Sequence, residues 1–174
     1  QKKYQLQKPM APLYFLRMRP ANFPTIRLAQ LAMLVHSSLH LFSKIKESNS
    51  LKEIKKLLNV TANDYWHYHY MPDAPSVYKK KSLGAAMINN ILINTVCTVL
   101  FAYGHYHKEE VYTNKALRWM EAIAPENNTI TKGFTLLQMA NNNAFDSQSL
   151  IQLKNEYCNK KRCLSCSIGN QILK

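Results

Sequence analysis

Apolar residues recur at helical spacing along most of the chain, and the strongest run lies early in it. Between Thr25 and Glu47 an apolar stripe follows the 3.6-residue period of an α-helix; its members are Leu28, Leu31, Ala32, Val35, Leu39 and Phe42. Further apolar residues widen this stripe, and a helix that is apolar on most sides is buried on most sides. The pattern therefore predicts one long central helix, around which the rest of the chain packs.

A second central helix is predicted over Leu83–Gly104, which contains no charged residue. Its length would allow it to cross a membrane. However, Asn89, Asn90 and Asn94 lie in the middle of the segment, and buried amides are costly in lipid. We therefore expect a core helix without a membrane partner, with Asn90 and Asn94 on one buried face and Gly104 ending the helix.

Shorter amphipathic segments complete the pattern, among them Glu109–Ile123, which is predicted to turn Val111, Leu117, Met120 and Ile123 inward. No apolar and polar alternation is long enough for a sheet. The predicted fold is therefore all-α, an irregular single-domain helical bundle of about six to eight helices. Residues 17–174 form this domain, and residues 1–16 are predicted to be a connector or tail from a preceding N-terminal domain.

Composition adds a strong positive charge to this picture. The 174 residues include 23 Lys and Arg against 10 Asp and Glu, a formal net charge of +13. Residues 1–27 hold six of the positive charges and no acid, and residues 154–162 hold four more against Glu156. Acidic partners are expected, with nucleic acid first, although a solvated basic surface stays open. Four cysteines do not make a disulfide scaffold at this length, so we expect a cytoplasmic protein.

Arginines cluster at the predicted entrance of the first long helix. Arg17, Arg19 and Arg27 flank Pro24, which suits the first turn of a helix, and Asn22 is a candidate N-cap. The free N–H groups of a helix N-terminus favour an anion, and arginines add paired donors for phosphate. Arg17, Arg19, Asn22 and Arg27 are therefore predicted to bind an anion or nucleic acid. A buried arginine network bonded to the chain's own carbonyls is the alternative.

An aromatic run offers a second set of candidate contacts. Trp66, Tyr68 and Tyr70 alternate with His67 and His69, so the rings could stack on bases while the imidazoles face the other way. Trp66 and His67 therefore join the predicted nucleic-acid-binding residues. A packed aromatic corner is the alternative.

Three cysteines near the C-terminus, Cys158, Cys163 and Cys166, follow the pattern Cys-x4-Cys-x2-Cys. The Cys-x2-Cys half is a spacing of metal ligands, which makes zinc the candidate cofactor. A complete site needs a fourth ligand, from Cys97 or a histidine. Buried structural thiols and a redox role are the alternatives.

The chain lacks the common catalytic signatures. It has no P-loop, no Gly-x-Gly-x-x-Gly, no His-Glu-x-x-His and no Gly-x-Ser-x-Gly. Its few acids show no paired spacing for general acid–base chemistry. No catalytic residue is predicted, and whether the intact protein is an enzyme stays open.

Several segments resemble one uncharacterised bacterial family, the one catalogued as domain of unknown function 2851. The segments that carry the resemblance are Leu16–Gln30, Tyr65-Trp66-His67, Leu92–Val96, Leu100–Gly104, Pro125–Asn128 and Tyr157–Gly169. The chain is similar to the C-terminal half of that family, which implies a preceding N-terminal domain with nuclease-like patterning, by analogy only. At Cys97 an aliphatic residue is expected, which weakens this cysteine as a ligand.

Two functions follow from these observations. The first is a helical accessory domain that binds nucleic acid or another polyanion through the arginine-rich helix entrance. The alternative is a structural domain that docks the preceding N-terminal domain through its basic face, with or without a zinc site at the C-terminal cysteines.

Overall fold

The computed structural model describes residues 12–15, 19 and 22–173, and these are predominantly α-helical. The all-α fold class is thereby confirmed. The chain divides into two compact units: the first holds the described residues up to Leu41 together with Leu57–Gly84, and the second holds Phe42–Lys56 and residues 85–173. A single domain over residues 17–174 stays a prediction, and most of the predicted connector lies outside the described residues.

The helices and strands follow one another in a simple order. In the first half of the chain they are α1 (Pro24–Ser37), α2 (Leu41–Glu47), α3 (Leu51–Leu58), α4 (Asp64–His67), β1 (His69–Met71) and β2 (Ala74–Pro75). In the second half they are α5 (Ala85–Ile91), a π-helical stretch (Leu92–Cys97), α6 (Thr98–His107), α7 (Glu110–Ala122), α8 (Thr129–Leu136), α9 (Ala144–Gln152), a second π-helical stretch (Leu153–Cys158), a 3₁₀ turn (Cys163–Ser165) and α10 (Ser167–Ile172). Strands β1 and β2 form an antiparallel hairpin.

The prediction of one long buried helix over Thr25–Glu47 is wrong. Helix α1 ends at Ser37, and His40 takes a φ of 56°, a left-handed conformation that an α-helix does not continue through. Weak helix formers lead into this break, namely Val35, His36, Ser37 and Ser38. All six members of the predicted inner stripe are exposed: Leu28, Leu31, Ala32, Val35, Leu39 and Phe42. The buried face of α1 is instead made by Thr25, Ile26, Ala29, Gln30 and Leu34.

The second predicted helix exists, but it begins two residues later and ends three residues later than expected. Helical structure runs without a break from Ala85 to His107, with π-helical hydrogen bonding over Leu92–Cys97. The Thr98 hydroxyl donates to the Ile93 carbonyl at 3.1 Å, which gives that carbonyl a partner where the regular helical pattern changes. By length and composition alone this helix could cross a membrane, and one third of its most apolar stretch is buried. The absence of a membrane partner stays a prediction.

Two details of that helix correct the sequence analysis. Gly104 does not end it, because three further residues are helical and Lys108 takes the left-handed φ of 57° after them. Asn90 and Asn94 are exposed, and the Asn94 amide donates to the Asn90 carbonyl at 3.1 Å. The amides therefore lie on the outer face of the helix and need no partner in the core.

Gly104 has a different role, at the close approach of α6 and α7 in the second unit. A Cβ placed on Gly104 would lie 2.8 Å from the Thr113 nitrogen and 2.9 Å from the Glu109 oxygen. The absence of a side chain therefore lets the two helices meet at their backbones. The inner face of α7 is made by Lys115, Ala116 and Trp119. The predicted inward residues Val111 and Leu117 are exposed.

Lys115 is buried in the second unit and has no carboxylate partner among the described residues. Its ammonium donates to the Lys46 carbonyl at 2.6 Å and to the Ser48 carbonyl at 3.0 Å. These carbonyls belong to the C-terminal end of α2, where a helix leaves oxygens unpaired and favours a cation. Burial, followed by the charge of Arg118, lowers the pKa of Lys115. The lysine thus joins α7 to the end of α2.

The Gly104 contact gives a direct test of this packing. We expect Gly104→Ala to lower the free energy of unfolding by about 1–3 kcal/mol, because the added methyl group meets backbone atoms that cannot move independently. The matched control is Gly133→Ala in α8, where a Cβ would meet nothing within 4 Å. The control should stabilise by about 0.5–1 kcal/mol, the usual gain from replacing a helical glycine. Denaturant unfolding measures both, and equal effects would contradict the close approach.

Candidate functional site

The predicted arginine site lies at the entrance of α1, in the first unit. Pro24 is the first helical residue, but the N-cap is Phe23 rather than Asn22, and no side chain caps this helix end. The side-chain amide oxygen of Asn22, Oδ1, instead accepts a hydrogen bond from Arg27 Nη2 at 2.5 Å. Arg27 Nη1 donates to Gln30 Oε1 at 2.9 Å. The prediction of Asn22 as the N-cap is wrong because its side chain holds the guanidinium instead.

Arg27 keeps its positive charge without an acidic partner among the described residues. Both side chains that hold it are neutral amides, and the first turn of α1 contains no acid. Burial lowers the pKa of Arg27, but a guanidinium stays protonated at any physiological pH. Arg19 is exposed, and its carbonyl accepts the Asn22 N–H at 2.8 Å. Arg17 lies outside the described residues.

The entrance of α1 contacts the β-hairpin directly. The Thr25 hydroxyl donates to the Tyr70 carbonyl at 2.5 Å. The Phe23 ring packs edge-on against Tyr70, with 6.2 Å between the ring centres, and against Phe15, with 5.0 Å. The structure therefore places the predicted arginine site beside the predicted aromatic run.

Lys81 ties this region together from the inside. It is buried, and its ammonium donates to the His67 carbonyl at 3.1 Å and lies 3.9 Å from the centre of the Tyr70 ring. Its own carbonyl accepts from the Gln30 amide at 3.2 Å and from the Ala62 N–H at 3.0 Å. One lysine thereby connects α1, the end of α4, the hairpin and the segment before α4.

The predicted contact residues Trp66 and His67 differ in exposure. His67 is buried, and its Nδ1 faces the Lys81 N–H at 3.4 Å. Its Nε2 lies 3.9 Å from Asp64 Oδ1. This burial leaves little of the His67 side chain accessible from solvent, and its role in binding stays a prediction. Trp66 is half-buried and packs edge-on against Tyr65, with 5.3 Å between the ring centres.

Other aromatic rings are more accessible than Trp66. Tyr65, Tyr68 and Tyr78 each expose between 44% and 55% of their surface. The sequence analysis named Tyr68 but missed Tyr78. The signal that could have found Tyr78 is its position in a loop after Pro75, directly before three lysines.

The C-terminal cysteines lie in the second unit. Cys158 and Cys163 are exposed, Cys166 is partly exposed, and all are free thiols. Over the described part of the chain, no three His, Cys, Asp or Glu side chains come together in a group that could hold a metal ion. Zinc at these cysteines stays a prediction without geometric support. Burial raises the pKa of Cys97 to about 11, which opposes the thiolate form that a metal ligand needs.

The second unit also contains an open cleft of about 610 Å³. Cys97, Phe101 and Phe145 contribute to its apolar part, and the amides of Gln148 and Gln152 lie along it. The volume is within the range of small-molecule sites. Its lining holds no charged residue, so the cleft indicates no particular ligand.

Residues 1–129 match the profile of a family described as protein of unknown function (DUF2851). This match covers more than half of the chain. The chain belongs to that family. No curated protein and no solved structure matches it. The resemblance to this family seen in the sequence is thus confirmed. The matched residues include the arginines at the entrance of α1 and the aromatic run Trp66–Tyr70, but not the three C-terminal cysteines.

Thiol reactivity tests the placement of the cysteines. With a chromogenic disulfide reagent at about pH 8, near the ordinary thiol pKa, we expect Cys158, Cys163 and Cys166 to react quickly. Cys97 should react only after denaturation, because it is buried and its raised pKa keeps it protonated. Cys97→Ala is the control and should leave the fast phase unchanged. Reaction of all four thiols in one fast phase would contradict the structure.

Proposed function

We propose that this chain binds nucleic acid through the positively charged surface of its first unit, centred on the entrance of α1. The observation that carries the proposal is the setting of Arg27. Its guanidinium is held in place by two neutral amide oxygens and has no carboxylate partner in the part of the chain described. A fixed cation without a counterion is suited to a phosphate.

The charge of the whole first unit favours the same partner. Its two sequence segments, residues 1–41 and 57–84, hold nine Lys and Arg residues against only Asp64 and Asp73. Such an excess produces a positive potential over the surface, which attracts polyanions before any specific contact forms. Neutralising phosphates also releases counterions, so this term supplies most of the affinity for non-specific nucleic acid.

The local chemistry of the entrance adds short-range contacts. A guanidinium presents its donors as a planar fork that matches two phosphate oxygens. Both terminal nitrogens of Arg27 donate, Nη2 to Asn22 and Nη1 to Gln30, which orients the guanidinium while each nitrogen keeps a second hydrogen for a ligand. The N-terminal end of α1 carries no side-chain cap, so its dipole adds positive potential at the same place. Arg19 is exposed nearby in sequence.

A salt series tests the proposal. We expect fluorescence anisotropy to show binding of labelled DNA or RNA at about 50 mM salt, with affinity falling steeply towards about 200 mM as counterion release weakens. The double variant Arg19→Gln with Arg27→Gln should weaken binding and flatten the salt dependence by about one to two units of slope. Replacing Arg27 by Lys instead of Gln in the double variant should recover part of the lost affinity. Lysine keeps the positive charge and lacks only the planar pair of donors.

The matched control removes two exposed lysines from α3, as Lys52→Gln with Lys56→Gln. This pair changes the net charge by the same amount at another surface, so it should leave most of the affinity intact. Circular dichroism checks that every variant is folded. Equal losses in both double variants would reduce the proposal to plain net charge, and no binding at low salt would end it.

A second candidate function is docking of a preceding domain. One observation favours it: Leu28, Leu31 and Val35 form an apolar stripe on one face of α1, and each is more than half exposed. Stripes of this kind occur at protein–protein contacts. The test mixes this chain with the separately produced preceding domain in size-exclusion chromatography. If α1 docks that domain, Leu31→Glu with Val35→Glu should abolish their association. Leu136→Glu, at an exposed site in α8, is the control. No association of the unmodified pieces would end this alternative.

A further inference from the structure

We infer that the nucleic acid is bound as a single strand, with unpaired bases stacking on Tyr68 and Tyr78. This inference rests on the proposed function and adds the form of the ligand. It starts from a pair of accessible tyrosines in the described part of the first unit. The two ring centres lie 5.2 Å apart with a tilt of 59° between the ring planes. Tyr68 is 51% exposed and Tyr78 is 55% exposed, so about half of each residue is accessible to a ligand.

Hydrogen bonds and a ring contact hold together the segments that carry the two tyrosines. The Ser76 N–H and hydroxyl both donate to the Tyr68 carbonyl, at 2.6 and 3.0 Å. The Lys79 N–H donates to the His67 carbonyl at 2.8 Å, and the Tyr78 ring packs edge-on against the His67 ring at 5.7 Å. These bonds fix the chain on either side of Tyr78 against the segment that carries Tyr68. A ring that is ordered before binding loses less entropy when a ligand stacks on it.

Lysines follow Tyr78 directly in the chain. Lys79 and Lys80 are exposed and form no ion pair with the residues described. The acids of this loop are Asp64, near His67, and Asp73, whose N–H donates to the Tyr65 hydroxyl at 3.2 Å. An aromatic pair followed by flexible ammonium groups is the combination that tracks a nucleic-acid backbone and stacks its bases.

The exposed rings of Tyr68 and Tyr78 favour a single strand over a duplex for a geometric reason. In a duplex the faces of the bases are covered by their neighbours, and only their edges and the phosphates are accessible. In a single strand the faces are available to aromatic side chains, and every base has such a face. Tyrosine rings therefore add affinity for a single strand, whereas arginines and lysines contribute to both forms.

The experiment compares three ligands of the same length, about 12 nucleotides, which is within the range that such surfaces cover. They are a single strand, the corresponding duplex and a strand with abasic sites in place of the bases. We expect the single strand to bind most tightly. Tyr68→Leu and Tyr78→Leu should each weaken its binding by about five- to a hundredfold, the usual effect of losing one stacking ring. Binding of the duplex and of the abasic strand should change less than twofold.

Two further variants serve as controls. Tyr78→Phe keeps the ring and should bind like the unmodified protein, which separates stacking from loss of the fold. Tyr106→Leu removes a tyrosine that is 81% exposed on α6 and should have no effect.

The outcomes separate the two proposals. If the tyrosine variants bind the single strand normally while the arginine double variant is weakened, the stacking inference is overturned and the proposed function stands. Equal affinity for single strand, duplex and abasic strand also overturns the inference alone. If none of the three ligands binds at low salt, both proposals fall.

Discussion

In each unit a buried lysine is held by carbonyl oxygens and aromatic rings rather than by a carboxylate. Lys81 donates to the His67 carbonyl and lies over Tyr70. Lys115 donates to the Lys46 and Ser48 carbonyls at the end of α2 and lies 5.7 Å from the Trp119 ring. Removing an ammonium from water is costly unless its donors find partners. Because acids are few in this chain, helix ends and rings supply those partners.

Lys81 links this constraint to the proposed function. Its ammonium fixes the loop around His67, and its carbonyl accepts from Gln30, which in turn holds Arg27. The same interior contacts therefore orient the arginine at the α1 entrance and support the segment that carries Tyr78. The positive charge that is buried at Lys81 is not available to a ligand, but it positions the groups that are.

The sequence predicted the helical class and several elements because apolar periodicity records local structure well. It did not predict the break at His40, because the apolar spacing continues on both sides of this residue although its φ is left-handed. It placed Leu28 and Leu31 in the core because a wide apolar stripe normally indicates burial, whereas these residues are exposed. Arg27 and Trp66 stay predicted contact residues, named from the sequence alone. The hydrogen bond between the Asn22 side chain and Arg27 and the exposure of Tyr78 could not be predicted, because they arise from contacts that only the folded chain brings together.

The central claim is that the first unit carries the nucleic-acid surface, and chemical-shift mapping tests it most directly. An isotope-labelled sample titrated with a short single strand should show its largest amide shifts between residues 22 and 27 and between residues 65 and 81. The amides of α8, α9 and the basic segment 154–162 should remain unchanged. Shifts confined to residues 154–162, or no shifts at saturating oligonucleotide, would contradict the account.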